Sequence, residues 1–214
     1  MSRASSLARL LPLTILLAGA PAPAAAYEKV PSRLARLSQA EAIERIRVRE
    51  MQDAPHVVIS TKKVWDRGRT VDGVHVSDVH LRAMVDRVTG STRWELWHEL
   101  DLYDAKREIT GLSYRIDGRM YHANLLRTET SDELCPSVDG PATACHVRVR
   151  SVFEIPERVL QRVAESYQPG NEQYWELHFS DREGKDIKAG LAPVEAAGLL
   201  SSVQHLRCQG IASC

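Results

Sequence analysis

A chain of 214 residues, 43% hydrophobic and 26% charged, is long enough for one domain with a real core and lies far from the profile of a disordered chain. Its 28 Lys and Arg balance 28 Asp and Glu; without Arg3 and Arg9 of the N-terminal segment the count is 26 against 28, a net charge near minus two. Nucleic-acid binding normally needs a basic excess or a clustered basic stripe, so that class of partner is not expected.

The first segment reads as an export signal. Residues 1–9 carry two arginines and no acid, 10–20 form an apolar run, and Ala24, Ala25 and Ala26 supply the small residues that signal peptidase reads. Cleavage is expected after Ala26, which leaves 27–214 as a single periplasmic or secreted domain. Pro12 and Gly19 interrupt the apolar run and Pro21 and Pro23 follow it, so it is shorter than the roughly 20 residues a membrane span requires. No transmembrane span is expected once the signal is removed. In an oxidising compartment the even set Cys135, Cys145, Cys208 and Cys214 is expected to pair. The local pairing, Cys135 with Cys145 and Cys208 with Cys214, closes short loops around Pro136, Asp139, Gly140 and Pro141 and around Gly210. The other two connectivities remain open. No C-x-x-C spacing points to zinc or redox chemistry.

In chain order, Ser38 and Glu41 fit a capping box opening a charged helix over 38–52, with a thin apolar stripe at Ala42, Ile43 and Ile46. Pro55 stops it, 57–65 reads as a strand, and 66–73 is a polar loop. Residues 79–128 alternate polar and apolar side chains in four segments, broken at Thr89-Gly90, Thr110-Gly111 and Asp117-Gly118. Val79, Leu81, Ala83 and Val85 share one face with Trp94, Leu96, Leu100 and Leu102; His80, Arg82, Met84, Arg93, Glu95, Trp97, Glu99, Asp101 and Tyr103 share the wetter one. The return segment 119–128 reads as one strand. A cysteine loop and a strand over 145–154 complete a β-meander over 79–154. Then come a helix opened by Pro156, a strand over 173–180, a short segment with Ile187 and Ala189, a helix from Pro193 to 207 and a cysteine tail over 208–214. The expected fold class is α+β: an antiparallel meander of about six to eight strands with helices packed on it, disulfide-stapled, the alternative being a β-sandwich with peripheral helices.

Candidate site residues fall in and around this meander. His75, Asp78 and His80 could present two imidazoles and a carboxylate to a metal ion, although odd spacing on a strand sends the two histidines to opposite faces. Glu99 and Asp101 lie two residues apart on one strand face, the arrangement paired-carboxylate acid/base chemistry would use and also that of any solvated strand. No G-x-S-x-G, S-x-x-K, H-E-x-x-H, P-loop or glycine-rich cofactor loop occurs, so no catalytic residue and no cofactor is assigned. Trp97, Tyr103, His122 and Trp65 are the candidate ligand contacts. The expected function is a non-enzymatic periplasmic or secreted binding or interaction protein, its partner a protein or an envelope component. The alternatives are a metal-dependent or acid/base hydrolase of envelope polymers, and a periplasmic inhibitor or immunity protein.

The signal peptide, the turn Asp86-Arg87-Val88-Thr89-Gly90 entering an aromatic-rich strand, Cys135 and Cys145 ahead of a strand, and the terminal amphipathic helix together resemble a loose group of uncharacterised exported bacterial proteins. The resemblance covers about residues 79–207. It implies export and the fold class, and it transfers no activity and no functional residue.

Overall fold

The computed structural model describes residues 30–50, 55–65, 74–103, 107–132 and 146–210. The expected export signal, the polar loop expected over 66–73 and Cys135, Cys145 and Cys214 lie outside them. The described part opens with helices α1 (Ser32–Ala35) and α2 (Gln39–Arg45), followed by strands β1 (Arg47–Glu50), β2 (His56–Ser60), β3 (Val74–Asp86), β4 (Thr92–Tyr103), β5 (Ile109–Ile116), β6 (Arg119–Ala123), β7 (Leu125–Asp132) and β8 (His146–Glu154). Helix α3 (Glu157–Glu165), strands β9 (Trp175–Asp181) and β10 (Asp186–Leu191) and helix α4 (Pro193–Gly210) complete it. Every strand pairing is antiparallel. The strands form two sheets, one of order β1-β2-β3-β4-β8-β7 and one of order β10-β9-β5-β6. This is an α+β protein built largely of antiparallel sheet, with a few helices.

Local chemistry explains the elements that the sequence anticipates. Ser38 caps α2: its Oγ accepts from the Glu41 amide at 3.2 Å, and Glu41 Oε2 accepts from the Ser38 amide at 2.8 Å. The β3–β4 turn is held by Asp86, whose Oδ1 accepts from the amides of Val88 and Thr89 at 2.8 Å each, with Gly90 at φ 71°. Asp117 and Gly118 take φ 49° and 76°, both positive as a two-residue hairpin turn requires, and set Ile116 opposite Arg119.

Two expectations are corrected. The charged helix does not run to 52: it stops at Arg45, Ile46 is extended, and residues 47–50 pair along β2 from Arg47 opposite Ser60 to Glu50 opposite Val57. The alternating Arg-Val-Arg-Glu stretch suits a strand, and a ladder partner outweighs a weak helix preference. Nor is the sheet a sequential meander of six to eight strands. After β4 the chain leaves the first sheet: Arg107 Nε donates to Asp181 Oδ2 at 2.7 Å and the Arg182 amide donates to Glu108 O at 3.1 Å, fastening β5 to β9. The place beside β4 goes to β8. The stretch 119–128 is likewise two strands, with β6 in the second sheet and β7 returning to the first beyond Asn124, whose carbonyl accepts from the Glu154 amide at 3.1 Å. Alternation survives this change of sheet, so the pattern alone does not reveal it.

The inner faces of the two sheets meet around Phe179 of β9, whose ring stacks on His98 of β4 at 3.8 Å between centroids and lies 5.8 Å from Phe153 of β8. Val57, Ile59, Leu81, Val85, Leu96 and Leu100 join the same core. So do Leu34, Ala42, Leu160 and Leu199 from the four helices, which therefore gather on the inner side. Gly198 allows α4 to approach α2 closely, because a Cβ there would sit 3.3 Å from Ala42 Cβ and Ile46 Cδ1.

His98 makes this core sensitive to acid. It is fully buried, and burial, with the Arg107 charge as a smaller cause, pulls its pKa from 6.5 to about 3. The folded ring is neutral while the unfolded chain takes up a proton below pH 6.5, so its contribution is intact above that pH and falls by about 1.4 kcal/mol per pH unit as pH drops toward the folded value. In urea unfolding between about pH 4.5 and 6.5, His98→Phe is expected to show a flatter loss of stability than the wild type, and parallel curves would contradict this assignment.

Candidate functional site on the outer sheet face

Strand register assembles the outer face of the six-stranded sheet. Arg82 stands opposite Glu95, His80 opposite Trp97 and Asp78 opposite Glu99 across β3 and β4. Glu99 and Asp101 then face Arg150 and Arg148 of β8, and Arg127 and Glu129 of β7 face Val152 and Arg150. Among the described residues three buried apolar side chains lie on this face, Val58, Trp97 and Val152, at 6%, 6% and 0% exposure, and none belongs to the main core cluster.

Glu95 is the centre of the arrangement. Its side chain has no exposed surface, and a carboxylate there must be paired and hydrogen-bonded. Trp97 Nε1 donates to its Oε2 at 2.8 Å, while Arg93 Nε and Arg127 Nη1 reach its Oε1 at 3.0 and 3.3 Å. With its indole nitrogen anchored, the Trp97 ring carries the Arg82 guanidinium 4.7 Å and the Arg127 guanidinium 5.0 Å from its centroid. Both are within cation–π range. His80 stacks on the same ring at 5.9 Å. The two arginines differ in their partners. Burial pulls on the Arg127 proton affinity, but the hydrogen bonds and charges of Glu129 and Glu95 outweigh it and raise the pKa. Burial wins at Arg82 and holds its pKa below the usual arginine range, with Glu95 opposing from a distance. Among the described residues Arg82 has no carboxylate within ion-pair range, and its buried Nε has no acceptor.

The remaining candidates are distributed over the molecule. Glu99 is held by Lys62 Nζ at 2.7 and 2.6 Å and faces Arg150 Nε at 3.6 Å, while Asp101 accepts from Arg148 Nε at 2.6 Å. Both carboxylates are thus engaged in ion pairs, the arrangement of a charge ladder rather than of a free acid and base. His80 Nδ1 lies 3.9 Å from Asp78 Oδ2. His75 falls at the register shift between Val74 and Val76, and its side chain is outside the described residues, as is that of Tyr103. Among the described residues no group of three or more His, Cys, Asp or Glu is placed to hold a metal ion. His122 is exposed on β6 in the second sheet, and Trp65 packs against the main core. Trp97, His122 and Trp65 therefore do not converge. Of the four cysteines, Cys208 alone is described, exposed in the last turns of α4.

The sequence reading placed Arg82, Glu95 and Trp97 on one face but did not single out Arg82 or Glu95. Arg127 was missed because a register shift between Leu125 and Arg127 turns it onto this face. No family model, curated protein or solved structure matches the chain.

Glu95→Gln keeps an acceptor for the indole while removing the charge that both arginines use. It is expected to cost about 1.5–3 kcal/mol in chemical unfolding, the range for hydrogen bonds to charged groups. A double-mutant cycle with Arg127→Gln should return a coupling of about 0.5–3 kcal/mol; additive losses would show that the two side chains are independent.

Proposed function

We propose that the chain is a non-enzymatic binding protein of the periplasm or cell exterior, which presents the outer face of its six-stranded sheet to an envelope component or protein partner. The observation that carries this reading is Trp97, a large ring held on the face opposite the helices, apart from the core, with two guanidinium groups against it. Arginine and tryptophan are the residues that anchor recognition surfaces most often. The ion-paired state of Glu99 and Asp101 favours binding over the hydrolase alternative, because acid/base work needs a carboxylate free to exchange its proton with substrate.

Export accompanies this function: cleavage after Ala26, with Cys135 joined to Cys145 and Cys208 to Cys214 after translocation. Intact mass and non-reducing peptide mapping of chain recovered from a secreting host test both points. A mature start at Tyr27 with the two local links is expected, and a link from Cys135 to Cys208 or Cys214 would overturn the pairing.

Binding is tested by backbone amide shift mapping with a solubilised envelope fraction. Perturbations are expected to cluster at 80–84, 93–101, 127–131 and 148–152. Perturbations confined to the second sheet, or turnover of a component of the fraction, would contradict the proposal.

A further inference from the structure

The outer-face cluster has an electrostatic imbalance that points to a ligand class. Arg82 feels the charges of Glu95, Arg127, Glu129 and Arg49, and Arg93 pairs with the same Glu95. Arg49, Arg82, Arg93 and Arg127 thus gather around Glu95 and Glu129, with Glu154 opposite Glu95 on β8, which leaves an excess of positive charge. Two of these carboxylates are already used: Glu95 accepts from Arg93, Arg127 and Trp97, and Glu129 accepts from Arg127 Nε at 2.8 Å. Arg82 is left with a buried Nε that has no acceptor and a guanidinium placed against an indole ring. Its depressed proton affinity reflects the same uncompensated burial. A planar, half-buried cation held by stacking, with its hydrogen-bonding donors unspent, is suited to bidentate recognition of an oxyanion.

We infer that Arg82, flanked by Arg127 and Arg49, binds a phosphoryl group over the Trp97 ring. The unspent donors favour this chemistry: a phosphate monoester presents three strong acceptor oxygens and close to two negative charges at neutral pH, which several neighbouring guanidinium groups can share, whereas a single carboxylate presents two oxygens and one charge. The phosphoryl group is common to a soluble phosphomonoester and to a lipid headgroup, and the two sources are separated by experiment. The inference rests on the reading of this face as a binding surface and deepens it.

The test is calorimetric titration of the full mature chain in a phosphate-free, low-salt buffer with three probes: inorganic phosphate, glycerol phosphate, and vesicles of phosphatidic acid set against phosphatidylcholine. Saturable binding of at least one phosphate probe is expected, with affinity reduced at least tenfold by Arg82→Gln and unchanged by Arg36→Gln, an exposed arginine on another surface. Binding of the soluble probes identifies a small phosphomonoester site, and binding of phosphatidic acid vesicles alone identifies a headgroup site. The melting temperature of ligand-free Arg82→Gln separates binding from scaffolding: the buried Nε donor has no acceptor to lose, so a value close to or above that of the wild type is expected, and a large drop would mark Arg82 as structural and overturn the inference. Binding that survives Arg82→Gln, or no binding of any phosphate probe, would also overturn it. If the envelope fraction still perturbs the outer face in that last case, the binding function stands and the phosphoryl assignment alone falls.

Discussion

A carboxylate with no exposed surface lies in the middle of a sheet face that otherwise looks toward solvent. Removing a charge from water is costly unless partners replace the lost hydration, so Glu95 dictates what surrounds it. It takes the indole N–H of Trp97, which fixes the ring, and it takes Arg93 and Arg127, which leaves Arg82 across the β3–β4 ladder stacked on that ring without a carboxylate of its own. One buried acid therefore organises an aromatic platform, two satisfied cations and one unsatisfied cation. The chemistry of the outer face follows from that inequality.

The topology makes this gathering possible. Because β8 rather than β5 lies beside β4, Arg150 and Arg148 stand opposite Glu99 and Asp101. The Arg107–Asp181 pair helps to carry β5 away to β9, and the return at Asn124 brings β7 to the edge of the first sheet with Arg127 in reach of Glu95. The inner face has a different task. Phe179, His98 and Phe153 join the two sheets, and the helices close over the rest. The core contacts are concentrated on one side of the first sheet and the paired charges around Trp97 on the other.

Much of this division was legible before any coordinates, because a period of two assigns faces. Val79, Leu81, Ala83 and Val85 are all at most 1% exposed, and Arg82, Glu95 and Trp97 lie together on the other side as the alternation demands. Turn and cap chemistry was legible too: Ser38 with Glu41, and Asp117 with Gly118, act through neighbours a few residues away. Strand partners were not legible, since alternation says which face a residue takes and nothing about the strand lying beside it. The same limit concealed Arg127, whose face depends on a one-residue shift in its ladder, and the burial of Glu95, which depends on side chains arriving from β7 as well as from its own strand. The stretch 47–50 was misjudged because its pairing with β2 is tertiary information that a local helix pattern does not contain.

Glu95 satisfies Arg93 and Arg127 and leaves Arg82 Nε without an acceptor. Arginine side-chain nitrogen–proton spectra, recorded without and with inorganic phosphate, test this arrangement most directly. The Arg82 Nε–H signal is expected to move on adding phosphate while that of Arg93, committed to Glu95, stays in place. A stationary Arg82 signal, or movement of the Arg93 signal alone, would contradict it.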